Sequence, residues 1–160
     1  MEKEKLLTYC KKCLMPHTRP RQNFNSEGIC GACDWNDIKE NKIDWKPRWN
    51  ELEALCEKFK KRNKGRHNVL VPYSGGKDGA YIAYTLKHKL GMNPLCVTIR
   101  PPLEEEIGKQ NIQNFIQRGY EHVMITPNRE IEKKIEKKNF IKKGIPMHAF
   151  MISVQTAIYR

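Results

Sequence analysis

Alternation of apolar and polar positions divides residues 68–143 into repeating strand–helix units. Short apolar, β-branched runs predict three strands, over residues 68–72, 95–99 and 122–126. A helical pattern follows each strand, over residues 78–90, 104–118 and 128–143. Asn128 is suited to cap the last of these helices. Because strands that alternate with helices pair in parallel with right-handed crossovers, this pattern predicts an α/β fold with a parallel sheet.

The segments on either side of these units differ in character. A helix is predicted from about Pro47 to the glycine at residue 65, and its last turn is basic. Residues 34–50 are polar, hold three tryptophans and lack glycine, which predicts a connector whose indoles pack on the following domain. Residues 147–160 predict a helix with apolar residues on most sides. A three-stranded sheet is small, so we expect a longer protein, or a partner, to supply the remaining cover.

Four cysteines form two pairs near the start of the chain. Cys10 and Cys13 are separated by two residues, as are Cys30 and Cys33, and sixteen residues lie between the pairs. This is the spacing of a four-cysteine zinc site, in which two tight turns present four thiolates to one ion at about 2.3 Å. An iron–sulfur cluster and a redox dithiol are the alternatives. Cys56 and Cys96 are solitary and are expected to be small buried hydrophobic residues.

The sequence Ser74-Gly75-Gly76-Lys77-Asp78 follows the first predicted strand and opens a helix. In parallel sheets, ligands bind beyond the carboxyl ends of the strands. Paired glycines allow positive φ and let backbone N–H groups face an anion, to which the helix amino terminus adds its partial positive charge. Lys77 adds a full charge, and Asp78 would hold Mg²⁺ or cap the loop. The turn therefore predicts a phosphate site, although the spacing matches neither a Walker A loop nor the dinucleotide fingerprint. A steric strand–helix turn is the alternative.

Composition and net charge exclude few classes of binding partner. The chain of 160 residues carries a net charge of +12, which attracts nucleotides, nucleic acid or acidic lipid in general. The lysine runs at residues 58–64 and 133–143 also fit solvated helix faces. No apolar stretch approaches a membrane span, and the charged start lacks a signal-peptide core, so we expect a cytoplasmic protein with reduced thiols and no membrane partner. His17 and Arg19 could touch an anion or simply pack in the cysteine module. The histidines at 67, 88, 122 and 148 show no metal or triad spacing.

Several segments together resemble a known family. "SGGKD" after an apolar strand is similar to the PP-loop of ATP pyrophosphatases. With "CKKCLMPHTRP", "GICGAC", "PLCVT" and "ITPN", the chain resembles the N-acetyl sugar amidotransferases of lipopolysaccharide and flagellar-glycan synthesis, whose products include pseudaminic and legionaminic acid derivatives. The resemblance implies a partial PP-loop fold, similar to adenine nucleotide alpha hydrolases, at residues 45–160. A zinc-ribbon-like module and connector would occupy residues 1–44.

The resemblance also implies an activity. ATP would adenylate the oxygen of a sugar acetamido group, and ammonia would displace AMP to leave an acetamidino group. A glutaminase with a cyclase-like subunit would supply the ammonia, and nucleic acid is not an expected partner. Residues 74–78 would bind ATP and Mg²⁺, with Lys77 and Asp78 also catalytic, and residues 98–100 would lie near the adenine. Cys10, Cys13, Cys30 and Cys33 would bind Zn²⁺.

The chain departs from the family pattern in two ways. Position 79 is Gly where the pattern usually has Ser, so a phosphate-binding hydroxyl is missing, and family members are much longer. Two other functions stay open: a PP-loop enzyme that thiolates tRNA, and a non-catalytic remnant or assembly module. The thiolation alternative fits the basic charge. However, no further cysteine pair follows the SGGKD turn.

Overall fold

The computed structural model describes residues 6–159, which form two compact units. The units are Met1–Asn50 and Glu51–Arg160. The functional division into residues 1–44 and 45–160 stays a prediction.

Residues 6–30 of the first unit have little regular structure. Two isolated antiparallel bridges, Tyr9 with Pro16 and Phe24 with Cys30, hold the cysteine-bearing turns. Helix α1 (Gly31–Asn41) follows, and α2 (Trp45–Arg62) begins in this unit. The predicted connector was therefore wrong: residues 34–41 are helical, with Asp34 in the first turn and Lys39 in the last, where each charge favours the helix dipole. The indole of Trp45 is half exposed and donates to the carbonyl of Lys39.

The second unit contains a three-stranded parallel sheet, as the sequence predicted. Its strands are β1 (Val69–Pro72), β2 (Pro94–Ile99) and β3 (Glu121–Ile125), and they lie in the order β1-β2-β3. Val69 pairs with Pro94, and Leu95 pairs with Glu121. The central strand is the most buried of the three, which explains its continuous apolar sequence.

Helices connect and follow the strands, close to their predicted positions. They are α3 (Lys77–Tyr84), α4 (Glu106–Gln117), α5 (Arg129–Lys143) and α6 (His148–Thr156), with a short 3₁₀ turn at Ala157–Tyr159. One difference affects the surface: α3 ends at Tyr84 and continues as a π-helical turn, Thr85–Lys89, where the sequence predicted an unbroken α-helix.

Two apolar clusters form the core of the second unit. The larger cluster joins Val71, Tyr73, Ala83, Cys96, Ile112, Phe115 and Tyr120. Its aromatic rings stack in series, since Tyr73 and Phe115 have centroids 4.2 Å apart and Phe115 and Tyr120 have centroids 4.0 Å apart. The smaller cluster packs Cys56 of α2 against Leu90 and Met92.

The last two helices are fixed by specific polar caps. The side chain of Asn128 accepts hydrogen bonds from the backbone N–H groups of Glu130 and Ile131, which confirms its predicted capping role. Glu136 of α5 caps α6 from outside, because its carboxylate accepts from the N–H groups of His148 at 2.8 Å and Phe150 at 3.1 Å. This second cap was not apparent from the sequence, since its partners lie on a different helix.

Candidate functional site

The SGGKD turn (residues 74–78) leaves the carboxyl end of β1 and opens α3. Gly75 has φ of +83°, a left-handed conformation that favours glycine. Gly76 is extended, with φ of −89° and ψ of 163°, and serves as the N-cap of α3. The expectation of positive φ therefore holds for the first glycine only.

Helix α4 holds this turn in place. A Cβ at Gly75 would lie 3.0 Å from the carbonyl oxygen of Gly108, so the close packing also requires glycine. Asn111 donates a side-chain hydrogen bond to the carbonyl of Gly75 at 3.0 Å, and the Tyr73 hydroxyl donates to the carbonyl of Asn111 at 3.3 Å. The turn is thus braced through its carbonyl group and its glycine packing.

The backbone N–H groups of the turn differ from the Gly75 carbonyl in their hydrogen bonding. Within residues 6–159, no protein acceptor bonds the backbone N–H groups of residues 74–78. Lys77 and Asp78 are strongly exposed, and the Lys77 ammonium lies 3.1 Å from Oδ1 of Asp78. Asp78 therefore pairs with Lys77 instead of capping the loop. Free N–H groups at a helix amino terminus with an adjacent lysine form an arrangement suited to an anion.

A cavity of about 290 Å³ lies beside the turn, at the same edge of the sheet. Its walls include Ser74 after β1, Thr98 and Ile99 at the end of β2, and Phe150 of α6. Glu104 and Glu105 before α4 also line it. The structure thus brings the predicted residues 74 and 98 to one cavity. Its apolar walls suit a planar ring, and its carboxylates suit ligand hydroxyl groups.

A hydrogen-bonded chain ties all three strands together at this cavity. The Thr98 hydroxyl donates to the carbonyl of Tyr73, so Nε2 of His122, 2.7 Å away, must donate to Thr98. Burial lowers the pKa of His122, which favours the neutral ring. His122 was assigned no role from the sequence, because its partner lies on a neighbouring strand.

Arg129 fixes the segment that follows β2. Its guanidinium donates to the carbonyl oxygens of Arg100 at 3.0 Å and Pro101 at 2.8 Å, and it pairs with the buried Glu132. The wall of the cavity that contains Pro101 is therefore held from α5. Sequence reasoning also missed this residue, which lies within a charge-rich helix start.

Gly79, the position that departs from the family pattern, has a steric reason in this fold. A Cβ there would lie 2.9 Å from the carbonyl oxygen of Pro72 and 3.1 Å from the Tyr73 ring. Helix α3 thus packs directly against the end of β1. Any side chain at residue 79 would force these groups apart.

The four predicted cysteine ligands converge in the first unit. Their sulfur atoms all lie within 4.8 Å of one another, with Cys13 and Cys30 at 3.5 Å and Cys10 and Cys33 at 4.0 Å. A tetrahedron with Zn–S bonds of about 2.3 Å has edges of about 3.8 Å. These four cysteines could therefore hold a metal ion such as zinc.

Two of these thiols have shifted pKa values. Burial opposes ionisation of Cys10, but hydrogen bonds from the backbone at Cys13, Cys30 and Lys12 outweigh it and lower its thiol pKa to about 6. Hydrogen bonding to Cys13, followed by burial and the charge of Cys10, raises the pKa of Cys33 to about 12. A bound dication would favour the thiolate form of these cysteines.

Hydrogen bonds within the module shape the cysteine turns. Asn25 accepts from the N–H groups of Glu27 and Ile29, which forms the turn before Cys30. His17 accepts from the N–H group of Thr8 at 3.1 Å, so it packs within the module.

Cys56 and Cys96 are buried, as predicted, and burial raises the pKa of Cys96 to about 11.

No helix within residues 6–159 is long and apolar enough to cross a membrane.

No family model matches the chain. An uncharacterized protein of Methanocaldococcus jannaschii is 25% identical over 138 residues, which cover 84% of this chain and 47% of that protein. The chain thus spans about half the length of the curated relative that it matches. A solved structure described as a predicted subunit of tRNA methyltransferase, from the same organism, has a TM-score of 0.41 and 31% identity, over 56% of this chain and 44% of that chain.

Proposed function

We propose that the second unit binds ATP in a PP-loop arrangement and supports attack on its α-phosphate. The observation that carries the proposal is the set of unbonded N–H groups at residues 74–78, beside a cavity at the carboxyl edge of the sheet. The pyrophosphate would bind these N–H groups and Lys77, and Asp78 would bind Mg²⁺. Adenosine would enter the cavity, where Glu104 and Glu105 offer acceptors for the ribose hydroxyl groups.

The substrate that we propose is an N-acetyl group of a nucleotide-linked sugar. The amide oxygen would attack the α-phosphorus and release pyrophosphate. Ammonia from a partner glutaminase would then attack the amide carbon, and AMP would leave with the former amide oxygen. Transition-state charge would be stabilised by the N–H groups of the turn and by Lys77. The cysteine module would bind zinc in a structural role, because all four protein positions around the ion are filled.

One observation disfavours the thiolation alternative. Cys96 lies in the central strand, fully buried, and burial raises its thiol pKa to about 11. A sulfur carrier needs an accessible thiolate. The four paired cysteines near the start of the chain lie together in the metal-type cluster. None of them is therefore free to carry sulfur to a substrate at the turn.

Two experiments test the proposal. Calorimetry would compare ATP–Mg²⁺ binding to the wild-type chain, to Lys77→Ala, and to Lys138→Ala, an exposed lysine of α5 that serves as the control. We expect a loss of at least about tenfold in affinity for Lys77→Ala alone, the range of one charge-assisted contact. Equal affinity in all three proteins would refute binding at the turn.

The second experiment follows the oxygen atom. The chain and its longer relative would be incubated with ATP, ammonia and nucleotide-linked N-acetyl sugars whose acetamido oxygen is isotopically heavy. We expect heavy AMP and a sugar product about one mass unit lighter than its unlabelled precursor. The mass follows from replacement of oxygen by an imino group. AMP formed without the label, or no AMP from the longer protein, would contradict the amidotransferase chemistry.

A further inference from the structure

A second concave surface lies on the outer side of α3 and α4, separate from the SGGKD turn. This tyrosine groove has a volume of about 480 Å³ and is lined by Tyr81, Tyr84, His88, Phe115, Arg118 and Tyr120. Tyr81 is 64% exposed and Tyr84 is 51% exposed. Two aromatic side chains with this much exposure on one helix are available to a ligand.

The rings are arranged as a floor and a wall. Tyr120 is buried and stacks on Phe115 at 4.0 Å, so it forms a rigid floor. His88 stands edge-on to Tyr120 at 6.3 Å and lies 4.7 Å from the Tyr84 ring. A flat ligand could therefore stack on an exposed tyrosine while its edge meets the imidazole and the floor.

The rings of the groove lie beside cationic side chains. Lys87 lies 4.6 Å above the Tyr120 ring and donates to the carbonyl of Gly119, while Lys89 lies 5.8 Å from the Tyr81 ring. Arg118 is part of the lining itself. Among the described residues, the lining includes no carboxylate. Exposed aromatic faces beside cations suit a nucleobase that carries phosphates, because the rings stack and the cations bind the anion.

Backbone geometry adds an independent observation. The π-helical turn, Thr85–Lys89, includes Lys87, His88 and Lys89. It is closed by a hydrogen bond from the Leu90 N–H group to the carbonyl of Thr85 at 3.1 Å. Single π-helical turns are rare and frequently occur at functional sites. Here the turn places a histidine next to Tyr84 and a lysine next to Tyr81.

We propose that the tyrosine groove is a second nucleotide site, which binds the base and phosphates of the nucleotide that carries the sugar. The identity of this ligand as a sugar carrier rests on the proposed function; the binding of a nucleotide does not. Tyr84 lies six residues after Asp78, or roughly 9 Å along the helix. The tyrosine groove and the SGGKD turn are therefore separate sites along α3.

The test uses UDP, GDP and CDP as probes, with calorimetry on the full chain. Tyr84→Ala and Arg118→Ala should each weaken binding of the preferred diphosphate by about tenfold, the range for one lost base stack or phosphate contact. Phe140→Ala, which removes a 60% exposed ring from α5, is the matched control and should bind as wild type. Circular dichroism would verify that each variant is folded.

The outcomes separate the two nucleotide sites. Tyr84→Ala should leave ATP affinity unchanged, and Lys77→Ala should leave diphosphate affinity unchanged. No diphosphate binding at millimolar concentration, or equal binding by Tyr84→Ala and wild type, would overturn the groove proposal even where ATP binds normally. Much tighter binding of a single-stranded oligouridylate than of UDP would also overturn it, because the groove would then serve an RNA chain. Diphosphate binding without ATP binding would support the groove and contradict the ATP site.

Discussion

Replacement of Gly79 by Ala tests how closely α3 packs on the end of β1. Gly79 is the third residue of α3, and a Cβ at this position would lie 2.9 Å from the Pro72 carbonyl oxygen. That oxygen belongs to the backbone of a strand and cannot move aside cheaply. The substitution should therefore destabilise the second unit, although alanine favours helices.

Two opposing free energies set the size of the effect. Alanine in place of glycine stabilises a helix by up to about 1 kcal/mol. Forcing an extra carbon into a packed site costs about 1–3 kcal/mol. The net expectation is a loss of about 1 kcal/mol in the free energy of unfolding for Gly79→Ala.

Gly108 supplies a matched control, because it is the third residue of α4 and its Cβ would meet nothing within 4 Å. Gly108→Ala should gain up to about 1 kcal/mol, so the two variants should differ by about 2 kcal/mol. Urea unfolding followed by far-ultraviolet circular dichroism would measure both. If Gly79→Ala gains stability to the same extent as Gly108→Ala, the steric explanation of the glycine is wrong.

Three further predictions follow from described contacts. Cys13→Ser should abolish zinc binding, whereas the wild-type chain and a Cys56→Ser control should retain zinc, as measured by elemental analysis. The coloured absorbance of an iron–sulfur cluster would contradict the zinc assignment. Asn128→Ala should lower the free energy of unfolding by about 1 kcal/mol in urea titration, because two N–H groups lose their acceptor; no change would contradict the cap. Burial lowers the pKa of His122, so protonation favours the unfolded state, and stability should decline as the pH falls below about 6.5. His122→Gln should flatten that decline, and an unchanged pH profile would exclude His122 as its source.

The sequence predicted the features that depend on local pattern. Strand positions, the parallel sheet, the Asn128 cap and the meeting of four cysteines all follow from periodicity or spacing along the chain. Helix α1 was missed because it has few apolar positions, chiefly Trp35 and Ile38, and they lie among polar and charged residues.

The features that escaped prediction depend on distant residues. His122 of β3 hydrogen-bonds to Thr98 of the adjacent strand β2, and Glu136 of α5 caps α6. The reason for Gly79 is the Pro72 carbonyl, which becomes close only when α3 folds back on β1. The exposed tyrosines of α3 were missed for a different reason, since a helical pattern does not show which of its faces neighbours will cover.

The central position of β2 determines the order in which the strands can pair as the chain is synthesised. Within residues 6–159, both outer strands pair with β2 alone, so β1 has no partner among these strands until Ile99 has left the ribosome. Each pairing then closes a loop of similar length, which makes the two steps comparable in entropy. A nascent chain that pauses before β2 would present an unpaired strand edge to other chains, and such edges promote aggregation.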